Sequence, residues 1–338
     1  MATGLVRGPV YVVLVNLNRW SDTVECLESV FRSDYPDVRV VLVDNGSTDD
    51  SVEQLVGWAT GERPYQRPNS PTLAHLSWPP VPKPVEHDVI ARTDSSPTAR
   101  RGALAKLTII ANPKNEGFSG GNNIGLRLIL ETGESGYALL LNNDMVIAPR
   151  AVSALVQHLE TDSRIAATGG ILFDYANPDT IQMAGGATST ALGMVNVLGA
   201  GLKRGQLPAA TELGFVGGGC LLIRLATLRD VGLLDESFFL YGEDYDWGKR
   251  MRDRGYRLTY TPEAETWHKG AATTVSRSPF QDYHMVRSTL TYTRKHAPLL
   301  MFAAFGYSVL RALAPKILRG EWPRVRAVLK AYGDHVRN

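Results

Sequence analysis

The chain has 338 residues, 44% hydrophobic and 21% charged, a balance that permits a substantial globular core. Its formal net charge of +2, without an arginine-rich block carrying interleaved aromatics, argues against nucleic-acid binding. The two cysteines, Cys26 and Cys220, predict buried free thiols in a reducing, cytosolic compartment rather than disulfides or a zinc site. Residues 1–9 lack the apolar stretch of a signal peptide, and no uninterrupted apolar run reaches the ~20 residues that span a bilayer.

The beginning of the chain has the pattern of a β-α-β unit. Apolar, β-branched runs at residues 10–15 and 38–43 predict strands that are buried on both faces. Between them, apolar residues recur at helical spacing after Ser21 and Asp22, which are typical N-cap residues. Pro36 ends this helix, since the residue before a proline disfavours the helical conformation. We therefore expect parallel strands joined by a right-handed crossover.

The same alternation continues further along the chain. After a helix expected near Ser51, residues 62–101 hold many prolines and serines with little periodicity, which predicts a long surface insertion. Apolar runs at 107–111, 137–141 and 165–173 then predict three more strands, with helices ending near Glu131 and beginning at Pro149. The order predicts an α/β fold with a doubly wound, Rossmann-like and mostly parallel sheet.

The second half of the sequence is less regular. A glycine run at 217–219 precedes an apolar strand that ends at Arg224, and an acidic cluster at 243–246 opens a helix through Arg254. Residues 257–260 predict a short strand, followed by a loop that leads to Trp267 and His268. From Pro279 onward the pattern is helical and increasingly basic. This extension is either a membrane-surface element or a set of helices packed on the first domain or in a dimer.

Short polar residues and glycines follow four consecutive predicted strands. Ligands of open α/β sheets bind beyond the carboxyl ends of the strands, so these residues predict a nucleotide pocket. The residues are Asn16 and Asn18; Asp44, Asn45 and Ser47; Asn115, Gly117, Gly120, Gly121, Asn122 and Asn123; and Asn142, Asn143 and Asp144.

Each group has a plausible chemical task in such a pocket. Asp44 can accept hydrogen bonds from a pyrimidine ring or a ribose, and glycines 117, 120 and 121 let the backbone approach a diphosphate before a helix N-terminus. Asp144 is a hard oxygen ligand of the kind that Mn²⁺ or Mg²⁺ takes. The structural alternative for both aspartates is capping of the next helix. A dinucleotide fold is disfavoured, because residues 16–20 contain no glycine.

These stretches together resemble the family 2 glycosyltransferases of the GT-A fold, and within them the rhamnosyltransferase-like members. The resemblance runs from about residue 10 to about residue 273 and is carried by five stretches, of which the third and the fifth are the most specific. The stretches are residues 12–18, 43–49, 115–125, 141–144 and 239–246. The family usually has a short loop where this chain has residues 62–101. Three alternatives are open for Tyr65 and Trp78 in this insertion: they line an acceptor groove, they contact a partner subunit, or they belong to an inert surface loop.

The resemblance implies roles for the donor-side residues. Asp44 would hold the nucleobase, and Asn142-Asn143-Asp144 takes the place of the family's Asp-x-Asp motif. Because Asn142 replaces the first aspartate, Asp144 should be the main metal ligand there, with Mn²⁺ or Mg²⁺ bound less strongly. His268 lies where related enzymes have a further metal ligand; the alternative is a loop histidine beside Trp267.

The acidic cluster is the predicted catalytic centre. Asp244 resembles the general base of the family, and inversion does need one carboxylate to take the proton of the attacking hydroxyl. Glu243, also a predicted catalytic residue, and Asp246 would orient Asp244 or bind acceptor hydroxyls; a solvated acidic helix start is the alternative. The predicted acceptor-binding residues are Gly218, Gly219, Asp246 and Trp267.

The resulting prediction is an inverting, metal-assisted transferase with a catalytic domain at 1–275 and a helical extension at 276–338. The expected donor is dTDP- or UDP-linked, with rhamnose as the expected sugar, and the acceptor is a glycan or a lipid-linked sugar at the cytoplasmic membrane face. If the helical extension packs against another subunit instead of a membrane, the expected assembly is a homodimer. A sugar nucleotidyltransferase would need a lysine-bearing glycine loop after the first strand, which is missing, and a non-catalytic relative need not keep Asp144 and Asp244.

Overall fold

The computed structural model describes residues 8–92, 102–189, 194–208, 212–270 and 278–337. The predicted domain boundary at 275/276 and residues 93–101 of the predicted insertion lie outside this part of the chain. The strands are β1 Val10–Asn16, β2 Val38–Asn45, β3 His87–Ala91, β4 Leu107–Asn112, β5 Tyr137–Leu141, β6 Met145–Ile147, β7 Ile165–Asp174, β8 Ile181–Met183, β9 Gly186–Ser189, β10 Met194–Val197, β11 Cys220–Arg224 and β12 Arg257–His268. The α-helices are α1 Trp20–Val30, α2 Ser51–Thr60, α3 Gly117–Glu131, α4 Ala151–Leu159, α5 Leu225–Val231, α6 Glu243–Asp253, α7 Pro279–His296, α8 Met301–Ser308, α9 Ala314–Leu318 and α10 Trp322–Arg337.

One twisted sheet organises the chain. Its strand order is β3-β4-β2-β1-β5-β11-β7-β12-β6, with β8 paired to β7, and β9 and β10 form a separate hairpin. The strands from β3 to β5 are parallel, whereas β11 runs antiparallel between β5 and β7. Side chains of β1 alternate between two cores, with Val12 on one face and Val13 on the other. The predicted α/β, mostly parallel fold is confirmed.

The first helix begins earlier than predicted. α1 starts at Trp20 with Arg19 as its N-cap, so Ser21 and Asp22 lie inside the first turn rather than before it. Asp22 binds the side chains of Arg19 and Lys269 instead of capping the helix. The helix ends at Val30, several residues before Pro36. Ion pairing across the fold therefore decided the role of Asp22.

Part of the predicted surface insertion belongs to the sheet. β3 lies at its edge, parallel to β4, and Val89 there is 49% exposed. The preceding segment is held to the helices by Glu28, which accepts hydrogen bonds from Trp58 Nε1, the Val81 amide and Lys83 Nζ at 2.8, 2.7 and 3.1 Å. A five-residue edge strand is half exposed, so its sequence lacks the continuous apolar run of a buried strand.

The last strand of the sheet is longer than predicted. β12 runs past residue 260 to His268, with an irregularity in its pairing to β7 between Tyr260 and Glu265. Pro262 lies in this irregular stretch, where a missing amide hydrogen is tolerated. Trp267 and His268 are thus strand residues rather than residues after a loop, and their side chains point to opposite faces.

The C-terminal helices form a small unit of their own around α7 and α10, which pack through Val286, Leu290 and Val328. Between them lies one helical segment, Pro298–Leu318, that is long and apolar enough to cross a membrane by length and composition. Its mean hydropathy is 1.3 and only 11% of its apolar window is buried. The sequence has no uninterrupted apolar run of this length, since Arg311 and Lys316 interrupt it, but the helical segment continues through both residues. Cys26 and Cys220 are buried free thiols, as predicted.

Candidate functional site

The carboxyl ends of β1, β2 and β5 meet in a closed polar network. Asn16 is fully buried and donates from Nδ2 to Asp44 Oδ2 at 2.8 Å, while its Oδ1 accepts from Thr23 Oγ1 at 2.9 Å. Ser47 donates its amide and its hydroxyl to the two oxygens of Asp44, at 3.1 and 2.6 Å. Asn143 donates to Thr23 Oγ1 at 2.8 Å. The structure therefore brings these predicted donor-side residues together.

Asp44 does not cap the following helix. The N-cap of α2 is Asp50, whereas the Asp44 carboxylate, 3% exposed, closes its own turn through Ser47. Asn18 extends this turn, since its Oδ1 accepts from the Thr48 amide at 2.8 Å and its own amide donates to Ser47 Oγ at 2.9 Å. The helix-capping alternative for Asp44 is wrong, and most of its hydrogen-bonding capacity is used within the protein.

Asn45 links two strand ends rather than facing open space. Its Nδ2 donates to Asn115 Oδ1 and to the carbonyl of Gly117, at 3.1 and 3.0 Å. Its Oδ1 accepts from Asn112 Nδ2 and the Glu116 amide, at 3.2 and 3.1 Å. With both ends of its amide occupied and 2% of its surface exposed, Asn45 orders the turn before α3.

The three predicted phosphate-binding glycines are explained by close packing inside the protein. α3 begins at Gly117, so Gly120 and Gly121 lie within the helix. A Cβ on Gly117, whose φ is +75°, would lie 2.3 Å from the carbonyl oxygen of Phe239, and one on Gly121 would lie 2.8 Å from Val15 Cγ1. A Cβ on Gly120 would meet the side chain of Glu116. Packing inside the protein thus accounts for all three glycines, and the approach of a diphosphate to them stays a prediction.

Asn122 and Asn123 are also occupied by the protein itself. Asn122 Nδ2 donates to the Phe118 carbonyl one turn earlier in α3, at 2.9 Å. Asn123 Nδ2 donates to the Leu234 carbonyl and to Glu236 Oε1, at 2.9 and 2.8 Å, and its Oδ1 accepts from the Leu234 amide. Both residues are at most 2% exposed, which favours a role in fixing α3 over the predicted nucleotide contact.

Asp144 and His268 form a pair with the donor set of a divalent metal. The β5–β6 connection supplies Asp144 and the end of β12 supplies His268, whose Nε2 lies 3.1 Å from Asp144 Oδ1. The other ring nitrogen, Nδ1, lies 2.9 Å from Gln182 Oε1 on β8. An imidazole that donates from Nδ1 to Gln182 offers the lone pair of Nε2 to a cation.

Sequence reasoning missed Gln182, because a lone glutamine on a three-residue strand carries no motif.

The electrostatics of the pair suit a cation. Burial opposes ionisation of Asp144, yet the hydrogen bond and charge of His268 lower the pKa of this carboxyl. Among the residues that the structure describes, no group of three or more histidine, cysteine or acidic side chains has metal-binding geometry. Mg²⁺-type sites commonly use one or two protein ligands and complete their shell with substrate phosphates and water, so two ligands fit.

The start of α6 carries two carboxylic acids of raised pKa. Burial and the adjacent Asp244 charge raise the pKa of Glu243 well above its usual value, and burial raises the pKa of Asp244 to about 7. Glu243 is 6% exposed and its Oε2 has no hydrogen-bond partner, whereas Asp244 is partly exposed. Paired acids in different environments are typical of proton-transfer sites.

A glycine turn connects the two centres. The Gly218 amide donates to the Asp244 carboxylate, and the Gly219 carbonyl accepts from the Asn142 amide at 3.0 Å. A Cβ on Gly218 would lie 3.2 Å from the ring of Phe118, and one on Gly219 would lie 3.2 Å from Leu172. Residues 217–219 therefore hold the Asn142–Asp144 segment and the acid of α6 on either side of one short turn.

Two of the predicted acceptor-binding side chains are buried elsewhere. Asp246 has no exposed surface and pairs with Arg250, Lys295 and His296 at 2.8, 2.7 and 2.7 Å, which ties α6 to α7. Trp267, 5% exposed, stacks on Phe173 and donates to a backbone carbonyl on the face of β12 opposite His268. Both arrangements favour structural roles over the predicted contacts with an acceptor.

Comparison with known families gives two matches that follow one another along the chain. Residues 11–69 match the family described as "Glycosyl transferase family 2", and residues 92–285 match "Glycosyltransferase like family 2". The second match alone covers more than half of the chain and contains both the Asp144–His268 pair and the start of α6.

A curated relative is the N-acetylglucosaminyl-diphospho-decaprenol L-rhamnosyltransferase of two Mycobacterium tuberculosis strains. It is 27% identical over 202 residues, which is 54% of this chain and 65% of the relative's own length. The chain thus matches slightly less than two thirds of that protein.

Solved structures share the fold at low identity. The mannosyltransferase PcManGT from Pyrobaculum calidifontis, in complex with GDP-Man and Mn²⁺, aligns with a TM-score of 0.53 at 15% identity, covering 98% of this chain and 76% of the other. GalNAc-T7 with UDP, GalNAc and Mn²⁺ aligns with a TM-score of 0.52 at 14% identity, covering 89% and 57%. These likenesses agree with the predicted GT-A fold.

Proposed function

Since the chain belongs to the family 2 glycosyltransferases, we propose that it transfers a sugar from a nucleoside-diphosphate donor to an acceptor hydroxyl with inversion at the anomeric carbon. The observation that carries this proposal is the glycine turn of residues 217–219, which holds an acid with a pKa of about 7 beside a carboxylate–imidazole pair. The first of these groups can accept a proton, and the second can hold a cation next to a leaving diphosphate.

In the proposed step, Asp244 acts as the general base. Its carboxylate accepts the acceptor's hydroxyl proton while the hydroxyl oxygen bonds to the anomeric carbon. The bond from that carbon to the diphosphate oxygen breaks, and its electron pair leaves with the diphosphate. A pKa of about 7 suits this task, because an ideal general base titrates near the operating pH. Burial and the neighbouring Asp244 charge raise the pKa of Glu243, which disfavours a second negative charge beside the base.

The proposed cofactor is a divalent cation, Mn²⁺ or Mg²⁺, held by Asp144 and His268. When bound, such an ion acts as a Lewis acid that stabilises the charge on the leaving diphosphate. Gln182 orients the imidazole, and the Lys269 amide donates to the Asp144 carbonyl at 3.0 Å, which fixes the two ligands relative to each other. The Mn²⁺ in the complexes of both structural neighbours supports this proposal.

The proposed donor is a dTDP- or UDP-sugar, with rhamnose as the sugar, and the proposed acceptor is a lipid-linked sugar. The name of the mycobacterial relative supports both the sugar and the lipid-linked acceptor. In this proposal the nucleoside occupies the ends of β1 and β2, around Asp44.

We also propose that the protein works on the cytoplasmic membrane face, with α8 and α9 lying in the lipid interface. Leu299 and Phe302 are each 95% exposed and Leu318 is 87% exposed, while Arg311 lies on the same helical segment and Arg319 directly follows it. Apolar residues flanked by cations match an anionic lipid surface. Co-sedimentation with anionic vesicles should fail for Phe302→Ser and persist for Leu329→Ser on α10. If both variants still co-sediment, the proposed lipid contact is contradicted. A stable dimer in light scattering would support the alternative, in which these helices pack in a dimer.

The transfer activity is tested with a panel of nucleoside diphosphates and their sugars, with and without Mn²⁺, by thermal shift and donor hydrolysis. The panel includes dTDP-rhamnose, UDP-sugars and GDP-mannose. The proposal expects metal-dependent stabilisation by one pyrimidine diphosphate and slow hydrolysis of one matching sugar. Stabilisation by GDP alone would correct the donor, and no response to any nucleotide would support a non-catalytic protein.

A further inference from the structure

A large cavity that none of the predicted site residues lines lies at the N-terminus of α6. It measures about 770 Å³ and is enclosed by the β9–β10 hairpin, the residues around Gly242, and helices α7 and α8. Its lining is mainly apolar and is rich in tyrosine. Its polar and aromatic lining includes Thr188, Tyr241, Tyr245, Tyr292, Tyr307 and Arg311.

The cavity adjoins the helical turn that carries the proposed base. Gly242 and Tyr245 line it, and Asp244 lies between them in the first turn of α6. Tyr241, with a φ of +66°, and Gly242, with a φ of +89°, bend the chain into the helix at this point. A hydroxyl group on a ligand in this cavity therefore lies next to the turn that carries the proton acceptor.

Contacts between the elements preform the walls. Thr188 Oγ1 of the β9–β10 hairpin lies 3.5 Å from the Tyr292 hydroxyl of α7. Ser288 donates to the Leu240 carbonyl at 3.0 Å, and Tyr245 packs edge-on against Phe215 with ring centroids 4.6 Å apart. Aromatic walls with a few fixed hydroxyls are typical of sites that bind a compact ligand with one apolar face, such as a pyranose.

A second, basic cavity of about 530 Å³ continues from the first. The two share Met285, Thr289, Tyr307 and Arg311 as lining residues. The second also holds Lys316, Arg319 and Arg324. Lys316 and Arg324 pair with Asp282, at 3.3 and 2.6 Å.

Two cations of this second cavity are left without a carboxylate. Within the described part of the chain, neither Arg311 nor Arg319 forms an ion pair; Arg311 only lies over the Tyr307 ring, 5.7 Å from its centroid. Arg311 lies at the junction of the two cavities and Arg319 lines the second. Unpaired arginines favour an anionic group, and the guanidinium fork matches phosphate oxygens. Leu310, which also lines this cavity, is 70% exposed and leads to the apolar surface of α8 and α9.

We propose that these joined cavities bind the acceptor as a glycosyl diphosphate lipid. The acceptor sugar occupies the tyrosine-lined cavity next to the turn that carries Asp244, and its diphosphate meets Arg311 and Arg319. Its lipid continues over the exposed apolar residues of α8 and α9. This inference rests on the proposed function and adds the location and chemistry of the acceptor site. It makes the C-terminal helices part of the active site.

The test compares two acceptors that carry the same N-acetylglucosamine. One is a short-chain prenyl diphosphate and the other is a neutral alkyl glycoside. Arg311→Gln should raise the KM for the diphosphate acceptor about tenfold, the size expected for one charge-assisted contact, with a much smaller change for the neutral one. Arg326→Gln on α10, an exposed arginine outside both cavities, is the matched control.

A second variant tests the sugar cavity by filling it. Ala187→Trp, on the hairpin wall, should raise the KM for both acceptors, whereas Ala200→Trp on an exposed turn outside the cavity should leave both unchanged. Equal KM values in Arg311→Gln and Arg326→Gln, or in the two tryptophan variants, would overturn the inference. Donor hydrolysis by the unaltered enzyme separates the two failures, because its absence contradicts the transferase activity itself.

Discussion

The ends of β1 and β2 and the start of α6 hold their polar groups in opposite states. At the strand ends, Asn16, Asp44 and Asn45 are buried and hydrogen-bonded to neighbouring protein groups. At the start of α6, Glu243 is equally buried, yet its Oε2 has no partner and its pKa is raised. Satisfied polar groups rigidify a structure, whereas an unsatisfied buried acid costs stability. The first region is therefore a rigid platform, on which the proposed nucleoside would lie, and the second has the properties of a proton-transfer site.

The largest expected effect comes from removing the proposed base. Asp244→Asn should lower kcat by about 10²- to 10⁴-fold, the usual contribution of a general base, and leave nucleotide affinity unchanged. The measurement is steady-state transfer together with nucleotide titration. Asp253→Asn, at the exposed end of the same helix, is the control. A kcat within tenfold of the unaltered enzyme would remove Asp244 from the mechanism.

The scaffold assignment is tested at Gly117. Gly117→Ala should lower the free energy of unfolding by about 3 kcal/mol, since its Cβ would meet the Phe239 carbonyl and its φ is unfavourable for alanine. Gly133→Ala has nearly the same φ, +74°, with no atom within 4 Å, so it isolates the backbone cost of about 1 kcal/mol. Urea denaturation measures both. Equal losses in the two variants would show that packing against Phe239 contributes nothing.

A smaller effect is expected at the proposed metal pair. Gln182→Ala removes the oxygen that holds His268 Nδ1, so Mn²⁺ affinity should fall about 10- to 100-fold, as for other outer-shell partners of metal ligands. Mn²⁺ titration in the presence of the donor diphosphate measures this, with Gln66→Ala on the exposed 62–68 segment as the control. Unchanged affinity would mean that His268 is not a ligand or needs no orienting partner.

The smallest expected effect, counted per pH unit, is a change in the pH dependence of stability. The folded-state pKa of Glu243 is raised. Its contribution to the free energy of unfolding is therefore fully present below the unfolded-state pKa of about 4.3 and is lost as pH rises toward the folded-state pKa. The Glu243→Gln variant has no ionisable group at this position. As pH rises through this window, its free energy of unfolding should therefore increase relative to that of the unaltered protein by up to about 1.4 kcal/mol per pH unit. Urea denaturation at pH 5 and pH 8 tests this; a constant difference would contradict the raised pKa.

Much of the fold and the place of the site followed from the order of residues alone. The apolar runs of β1, β2, β4, β5 and β7 specify strands because a strand buried on both faces needs apolar side chains at every position. The stretches 115–125 and 239–246 indicated the family, and the structure brings the segment after β5 and the first turn of α6 together at one glycine turn.

Tertiary structure decided what each polar residue binds. Asn45, Asn123 and Asp246 have the residue types of ligand contacts, but partners from distant segments use their hydrogen bonds. In the same way Gly117 is required by the approach of Phe239 rather than by a phosphate.

The sequence by itself determined where the chain is apolar, where it turns and which carboxylates end strands or open helices, since these depend on neighbours in the chain. Only the tertiary structure decided that Gln182 holds His268, that β3 forms the sheet edge, and that α7 and α8 line a cavity next to the first turn of α6. Contacts between residues far apart in sequence leave no periodic trace in either segment, which is why the acceptor side of the molecule was the part that the sequence predicted least well.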